Sequence, residues 1–364
     1  MLYKDGLHDD TAAIQQLLDK GGSVTDESGI YLISRPLIIH DNTRLQLAPD
    51  AVMKLADGAN CAILENDALR LKGAEYNCNI SVNGGIWDGN NENQQRRSRE
   101  SRFALTKFED DYYYGIFMRF VGVKNLCVSS MTVRNPESYA MLICAAENFT
   151  VENISFDYNL LRLNMDGIHV QGPANGGVIR NIAGTTNDDL VALNCDDVFA
   201  SEITRGNIEN ILIDGLFSEN GYTTLRLLSC GSQMRNISVR NIFGTYGYYG
   251  VSFTHHKVHP GEKPWFDNIL IDGVFASKPE GDTSDHPIIW FEEGVRAGNI
   301  SIKNLCRTQK EMTNAPTLRL VGDVRIKRLL LSNIYENLSD RSSFTELDGS
   351  CVENLIKEAT GSGG

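Results

Sequence analysis

The 364-residue sequence predicts an all-β protein, a parallel β-helix in which short strands coil into a solenoid. The main observation is an internal repeat: Asn, apolar, any residue, Val or Ile, any residue, Asn or Gly, apolar, as in Asn236-Ile-Ser-Val-Arg-Asn-Ile. Copies begin at residues 125, 148, 176, 210, 236, 268, 299 and 328, so the spacing runs from 23 to 34 residues. A period of this length, with short alternating strands and Asn or Gly at the turns, is typical of stacked β-helix coils.

The alternatives fit the repeat less well. The LxxLxL spacing of leucine-rich repeats is absent, and a propeller blade needs four strands in roughly 40 residues. Asn at a fixed position of each coil tolerates a left-handed backbone and forms local hydrogen bonds, as a repeated turn requires. The step from Asn79 to Asn125 is 46 residues. About one coil of extra polar and aromatic chain therefore interrupts the repeat there, and we expect a loop.

The segment before the repeats predicts a helix that caps the solenoid. Asp10 or Thr11 is expected to cap the helix and Gly21 to end it, while its apolar face consists of Ile14, Leu17 and Leu18. A solenoid needs such a cap over its first coil. The expected organisation is therefore a cap helix at 1–22, a β-helix catalytic domain at 23–343, and a C-terminal segment and tail at 344–364.

Composition and charge exclude several classes of function. The 34 Lys and Arg against 47 Asp and Glu give a net charge of −13, which disfavours nucleic acid and anionic membranes as partners. No run approaches 18 apolar residues, so no membrane span is expected. No signal peptide is visible, which suggests a cytoplasmic protein or a secreted one whose signal has been removed. The eight cysteines form no CxxC pair. We predict no metal and no cofactor, and the oligomeric state stays open.

Two coils carry acidic residues at the same place, just before a strand of alternating apolar residues. These are Asp166, in Asn164-Met-Asp-Gly, and the pair Asp188 and Asp189. Adjacent coils lie about 4.8 Å apart, so the three carboxylates should lie close together. Such crowding is unfavourable unless a proton is shared or a cation binds. Two carboxylates on either side of a sugar oxygen are sufficient for glycoside hydrolysis, so we predict that Asp166, Asp188 and Asp189 are catalytic.

Alternation along the strands predicts which polar residues share the outer face with this trio. Leu225 and Leu227 should point inward and Arg226 outward, and the same argument turns His169 outward between Ile168 and Val170. Such residues can contact a polysaccharide or oligosaccharide. The candidate substrate-binding residues are Asn164, His169, Tyr222, Arg226, His255, His256 and Lys257.

The ordered set of acidic motifs resembles glycoside hydrolase family 28, the polygalacturonase family. Upstream, the segments Gly84-Gly-Ile-Trp-Asp-Gly-Asn90 and Asn135-Pro-Glu-Ser-Tyr139 are similar to further motifs of that family, and the resemblance spans roughly residues 5 to 335. It implies a right-handed, pectate-lyase-like parallel β-helix and hydrolysis with inversion at the anomeric carbon. It also implies that Asp188 is the general acid, while Asp166 and Asp189 act as base on the attacking water.

The sequence departs from the family pattern at two places. The family's Gly-His-Gly aligns with Gly221-Tyr222-Thr223, and its Arg-Ile-Lys, which holds a uronate carboxylate, aligns with Ser252-Phe253-Thr254. Either the substrate is neutral at the cleaved residue, or Arg226 reaches across from the preceding coil. Two other functions stay open on the same scaffold. One is a polysaccharide lyase or epimerase, and the other is a non-catalytic, tailspike-like carbohydrate binder.

Overall fold

The chain folds as a right-handed parallel β-helix, which confirms the predicted fold class. The computed structural model describes residues 2–69, 76–95, 115–196, 205–255, 261–309, 314–338 and 345–362. Most of the predicted loop insertion, at 96–114, lies outside these ranges, as do His256 and Lys257.

The described residues form one α-helix, α1 (Thr11–Leu18), and 22 strands. The first nine strands are β1 (Asp5–Asp9), β2 (Gly22–Asp26), β3 (Ile30–Ile33), β4 (Leu37–Ile39), β5 (Thr43–Leu47), β6 (Val52–Leu55), β7 (Leu64–Asn66), β8 (Asn77–Asn83) and β9 (Ile86–Asp88). The central strands are β10 (Met118–Arg134), β11 (Met141–Asp157), β12 (Ile168–Gly184), β13 (Asp189–Asn194), β14 (Ile208–Leu228) and β15 (Gln233–Thr254). The last are β16 (Trp265–Ser277), β17 (Ile289–Phe291), β18 (Arg296–Gln309), β19 (Leu318–Leu320), β20 (Arg325–Leu338), β21 (Thr345–Leu347) and β22 (Val352–Ser362).

Each coil has three faces, which the pairing of β10 makes clear. Its start pairs with β7, its middle with β8 and its end with β9, all in parallel. The long strand therefore bends twice and contributes to three stacked sheets. We call the first of these sheets the cleft face. It runs through residues 118–121, 141–144, 168–171, 189–194, 225–228, 251–254, 289–291 and 318–320.

Stacked side chains stabilise the solenoid on both sides of the sheets. Inside, one column of almost completely buried residues comprises Val128, Val151, Ile179, Ile213, Val239, Ile271, Ile302 and Leu331. Outside, Asn236 donates to Asn210 over 2.9 Å and Asn268 donates to Asn236 over 2.8 Å. The left-handed backbone predicted for the repeated asparagines is confirmed at six of them, Asn79, Asn125, Asn148, Asn210, Asn236 and Asn268, with φ from 53° to 60°, but Asn299 does not adopt it.

The N-terminal helix is confirmed, and Asp10 occupies its N-cap position as predicted. The side chain of Asp10 makes no capping hydrogen bond, because its buried carboxylate accepts hydrogen bonds from the backbone N–H groups of Tyr3 and Lys4. Asp9 instead accepts from the backbone N–H of Thr11 over 2.9 Å. At the other end, Asp19 rather than the predicted Gly21 is the C-cap residue. The eight-residue helix, the single α-helix in the described part of the chain, is too short to cross a bilayer.

The solenoid continues into the region predicted as C-terminal segment and tail. There, β21 pairs in parallel with β19, and β22 pairs in parallel with β20 from Val352 onward. Strand residues therefore extend to Ser362.

Candidate active site

The three aspartates come together on the cleft face, at the start of two adjacent coils. The backbone N–H of Gly167 donates to the carbonyl oxygen of Asp189 over 2.9 Å, and Ile168 pairs with Val191. This ladder places Asp166 beside Asp189. Asp188 directly precedes Asp189 in the sequence. Asp166 and Asp189 are buried, with exposed fractions of 1% and 2%, whereas Asp188 is half-buried and lines a cleft.

Asn164 holds the carboxylate of Asp188. Its side-chain N–H donates to Asp188 Oδ2 over 2.6 Å. The backbone of Asn164 is left-handed, with φ of 59°, a conformation that Asn tolerates better than most residues. In this structure the side chain predicted to contact substrate therefore orients an acidic group.

His169 performs a similar function for Asp166. Its register opposite Leu142 and Ala192 places it on the outer side of the sheet, as alternation predicted. Its side chain is nevertheless fully buried, stacked on Tyr139 with a centroid distance of 4.1 Å. His169 Nδ1 lies 3.0 Å from Asp166 Oδ2. The structure thus places His169 against the carboxylate and away from the cleft, in contrast to the predicted contact with substrate.

Burial and neighbouring charge keep Asp166 protonated to an unusually high pH. Removal from water, and then the charge of Asp188, raise the pKa of Asp166 to about 6, although His169 and Arg226 oppose the shift. The other oxygen, Asp166 Oδ1, is buried and has no hydrogen-bond partner among the described residues. Asp166 therefore combines a raised pKa with an uncommitted acceptor atom.

Arg226 reaches Asp189 from the following coil, where it pairs with Ala192 in the strand register. Its Nε lies 2.9 Å from Asp189 Oδ2. Burial raises the pKa of Asp189 well above its ordinary value; Arg226 opposes this, and the charges of Asp188 and Asp166 add to it. Burial alone lowers the pKa of Arg226, but the three carboxylates outweigh that effect and keep the guanidinium charged. One cation thus balances part of a crowded acidic cluster.

An aromatic wall lies beside the acidic cluster, formed by Tyr222, Tyr248, Tyr249 and Trp290. Tyr222 stacks on Tyr248 with a centroid distance of 4.4 Å, and Tyr249 stacks on Trp290 at 4.7 Å. The cleft between wall and carboxylates has a volume of about 250 Å³ and is lined by Asp188, Asp189, Tyr222, Thr223, Arg226, Tyr248, Tyr249, Ser252, Thr254, Trp290 and Glu292. Large, rigid ring faces next to polar groups suit a sugar, which presents C–H faces and hydroxyl edges.

Of the other four candidate substrate-binding residues, one lines the cleft, one is buried away from it, and two lie outside the described residues. Tyr222 is 38% exposed and lines the cleft. His255 is buried, with its ring Nε2 2.8 Å from the carbonyl oxygen of Glu293, and it is absent from the cleft lining. His256 and Lys257 lie outside the described residues. Within the described ranges, no group of three or more His, Cys, Asp or Glu side chains is placed to hold a metal ion.

Ser252, Thr254 and Glu292 also line the cleft, although none of them was among the candidate substrate-binding residues. The sequence could have identified Ser252 and Thr254, because alternation along the strand on either side of the buried Phe253 turns both side chains outward. The segment Asn135–Tyr139 also proves to be a support for the site. Ser138 donates to the carbonyl oxygen of Asn164 over 3.1 Å.

Replacing Asp166 with Asn should stabilise the protein most at high pH. The pKa of Asp166 is about 4 in the unfolded chain and about 6 in the folded protein, so the folded state favours the neutral carboxyl group. The contribution of Asp166 to stability is therefore complete below about pH 4 and is lost as the pH rises through about 6. The variant keeps an acceptor for His169 and removes the charge. Its gain in the free energy of unfolding should rise from about 1 kcal/mol at pH 4.5 to about 3 kcal/mol at pH 8, measured by urea denaturation. A gain independent of pH, or a loss at pH 8, would contradict the assignment.

No protein-family model matches the sequence, and no curated protein gives a significant match. Solved structures do share the fold. A hyperthermoactive exopolygalacturonase from Thermotoga maritima superposes with a TM-score of 0.67 at 16% identity, covering 99% of this chain and 90% of that one. The A-module of a mannuronan C-5 epimerase from Azotobacter vinelandii gives 0.59 at 16% identity, covering 100% and 97%. A double mutant of the tailspike protein of the E. coli bacteriophage HK620 gives 0.67 at 12% identity, covering 99% and 64%.

These comparisons define the class of fold. The chain is a parallel β-helix protein of the architecture shared by a polygalacturonase, an epimerase and a tailspike. The resemblance to the polygalacturonase family is therefore confirmed at the level of the fold. Because one scaffold serves several activities, the function has to be argued from the site.

Proposed function

We propose that this protein is a glycoside hydrolase that cleaves a plant or microbial polysaccharide or oligosaccharide by inverting acid/base catalysis. The observation that carries the proposal is a cluster of three carboxyl groups, of which Asp188 and Asp189 line a cleft with an aromatic wall and Asp166 lies buried beside them. Buried carboxylates with raised pKa values are costly to the fold, and such groups concentrate at functional sites.

Asp188 is proposed as the general acid. It is the most exposed member of the trio, so its carboxyl group can reach a glycosidic oxygen bound in the cleft. Asn164 fixes one oxygen of Asp188 and leaves the other to face the substrate. The proton passes from Asp188 to the leaving oxygen as the bond to the anomeric carbon breaks.

Asp166 and Asp189 are proposed to hold and deprotonate the attacking water. Asp166 Oδ1 supplies an acceptor to which no described residue donates, and His169 keeps the carboxylate in place through the other oxygen. Arg226 stabilises the ionised carboxylate of Asp189, which is the form that can take up a proton from the water. Attack from the side opposite the leaving group inverts the anomeric carbon. These assignments agree with those implied by the family resemblance.

The stereochemical course tests this mechanism. Wild-type protein should release a product whose anomeric configuration is opposite to that of the cleaved bond, because water attacks directly. Proton NMR during the first turnovers, before mutarotation, reads this configuration on any substrate found in a broad polysaccharide panel. A retained anomer would instead require a nucleophilic carboxylate about 5 Å from the acid and would contradict the assigned roles.

A further inference from the structure

Glu292 belongs to the last of the stacked coils that line the cleft. It therefore lies at the end of the cleft away from the catalytic trio. It follows β17, and its backbone N–H donates to the carbonyl oxygen of Phe253 over 2.9 Å. This bond continues the ladder between adjacent coils and places Glu292 beside Thr254. Thr254 occupies the position where the family pattern has the lysine of Arg-Ile-Lys. A carboxylate therefore lies next to the place where that pattern has a cation.

The side chain of Glu292 is fixed toward the cleft. The backbone N–H of His255 donates to Glu292 Oε2 over 2.7 Å, and the side chain is half-buried among the lining residues. No described residue hydrogen-bonds to Glu292 Oε1. A carboxylate that is held by one oxygen and exposes the other in a cleft is an acceptor for hydroxyl groups.

The charge balance of the cleft opposes an acidic sugar. Its described lining contains three carboxylates, Asp188, Asp189 and Glu292, and one cation, Arg226, whose Nε already faces Asp189. A uronate bound between Glu292 and Asp188 would add a further negative charge to this set. Like charges brought together in a partly desolvated site are strongly unfavourable.

We propose that Glu292 makes this end of the cleft a subsite for an uncharged sugar. Hydroxyl groups of the sugar donate to the Glu292 carboxylate and hydrogen-bond with Thr254, while its C–H groups contact the stacked pair of Tyr249 and Trp290. This inference rests on the proposed hydrolase function and specifies its substrate class. It selects a neutral sugar over a uronate held by Arg226.

The test compares wild-type protein with Glu292→Lys, Glu292→Gln and the control Glu293→Lys. Glu293 is exposed and outside the cleft lining, so the control makes the same charge change at the neighbouring position. The probes are uronic oligosaccharides, their methyl esters, and neutral galactan and rhamnose-containing oligomers. The wild-type kcat/KM should favour uncharged probes by roughly tenfold or more. Glu292→Lys should lower that ratio by about the same factor, and Glu293→Lys should leave it unchanged.

Glu292→Gln tests the inference independently in case Glu292→Lys does not fold. Glu292→Gln keeps the shape and the bond to His255 but loses the charged acceptor, so kcat/KM on neutral probes should fall by roughly tenfold. Melting temperatures confirm folding of each variant. Preference for the uronic probes, or an unchanged ratio in a folded Glu292→Lys variant, would overturn the inference while leaving the hydrolase proposal intact. Failure to cleave any probe would instead overturn the proposed function.

Discussion

Replacing Asp188 with Asn should lower turnover by about 10²–10⁴-fold, because the glycosidic oxygen then departs without a proton donor. The fold should be retained, since Asn is isosteric with Asp and cannot add negative charge to a crowded acidic cluster. The measurement is kcat on the best substrate, together with circular dichroism and thermal unfolding.

Asp323→Asn is a suitable control for this experiment. Asp323 has an exposed side chain in an ion pair with Arg296, away from the residues that line the cleft. It should lose no measurable activity. If Asp188→Asn retained more than about a tenth of wild-type turnover, Asp188 would not be the general acid.

Replacing Arg226 with Met should destabilise the protein by about 3–5 kcal/mol at pH 8, because it leaves the buried Asp189 without its cation. The loss should be smaller at pH 5. Without Arg226 the already raised pKa of Asp189 rises further, so the folded state holds a neutral carboxyl group at low pH and loses stability as the pH increases. Urea denaturation at the two pH values measures the difference.

A double variant separates charge from packing in this prediction. Adding Asp189→Asn to Arg226→Met removes the unpaired carboxylate and should restore most of the stability lost at pH 8. The double variant should stay inactive, since Asp189 is assigned to the base. An equal loss at pH 5 and pH 8 that the second substitution does not restore would show that Arg226 contributes packing rather than charge compensation.

The sequence predicts the fold well because the same repeat determines both the turn of each coil and the apolar residues that stack from one coil to the next. A left-handed Asn such as Asn236 sets the turn, and the apolar positions that follow it build one inward column. The acidic trio is predictable for the same reason. Asp166 lies two residues before Ile168 and Asp189 lies two residues before Val191, and because Ile168 pairs with Val191, coil stacking alone brings the two aspartates together.

Other features of the site depend on what packs over the sheet, which alternation does not report. His169 has the predicted outward phase but is buried, because Tyr139 and Asp166 cover its ring. Glu292 and His255 meet across a separation of 37 residues, so their contact depends on how the chain between two coils returns to the cleft face. At the start of α1 the N-cap residue is the predicted Asp10, but its buried carboxylate accepts hydrogen bonds from the N-terminal segment and makes no capping hydrogen bond.

The most direct test of the central claim is mass spectrometry of the products formed in oxygen-18-labelled water. Hydrolysis by the aspartate trio predicts shortened saccharides that carry one labelled oxygen at the new reducing end, and Asp188→Asn should slow their formation by about 10²–10⁴-fold. A lyase would release unsaturated products without the label, and an epimerase or a non-catalytic binder would leave the chain length unchanged. Either of these two outcomes on a substrate that binds the cleft would contradict the assignment of Asp166, Asp188 and Asp189 to glycoside hydrolysis.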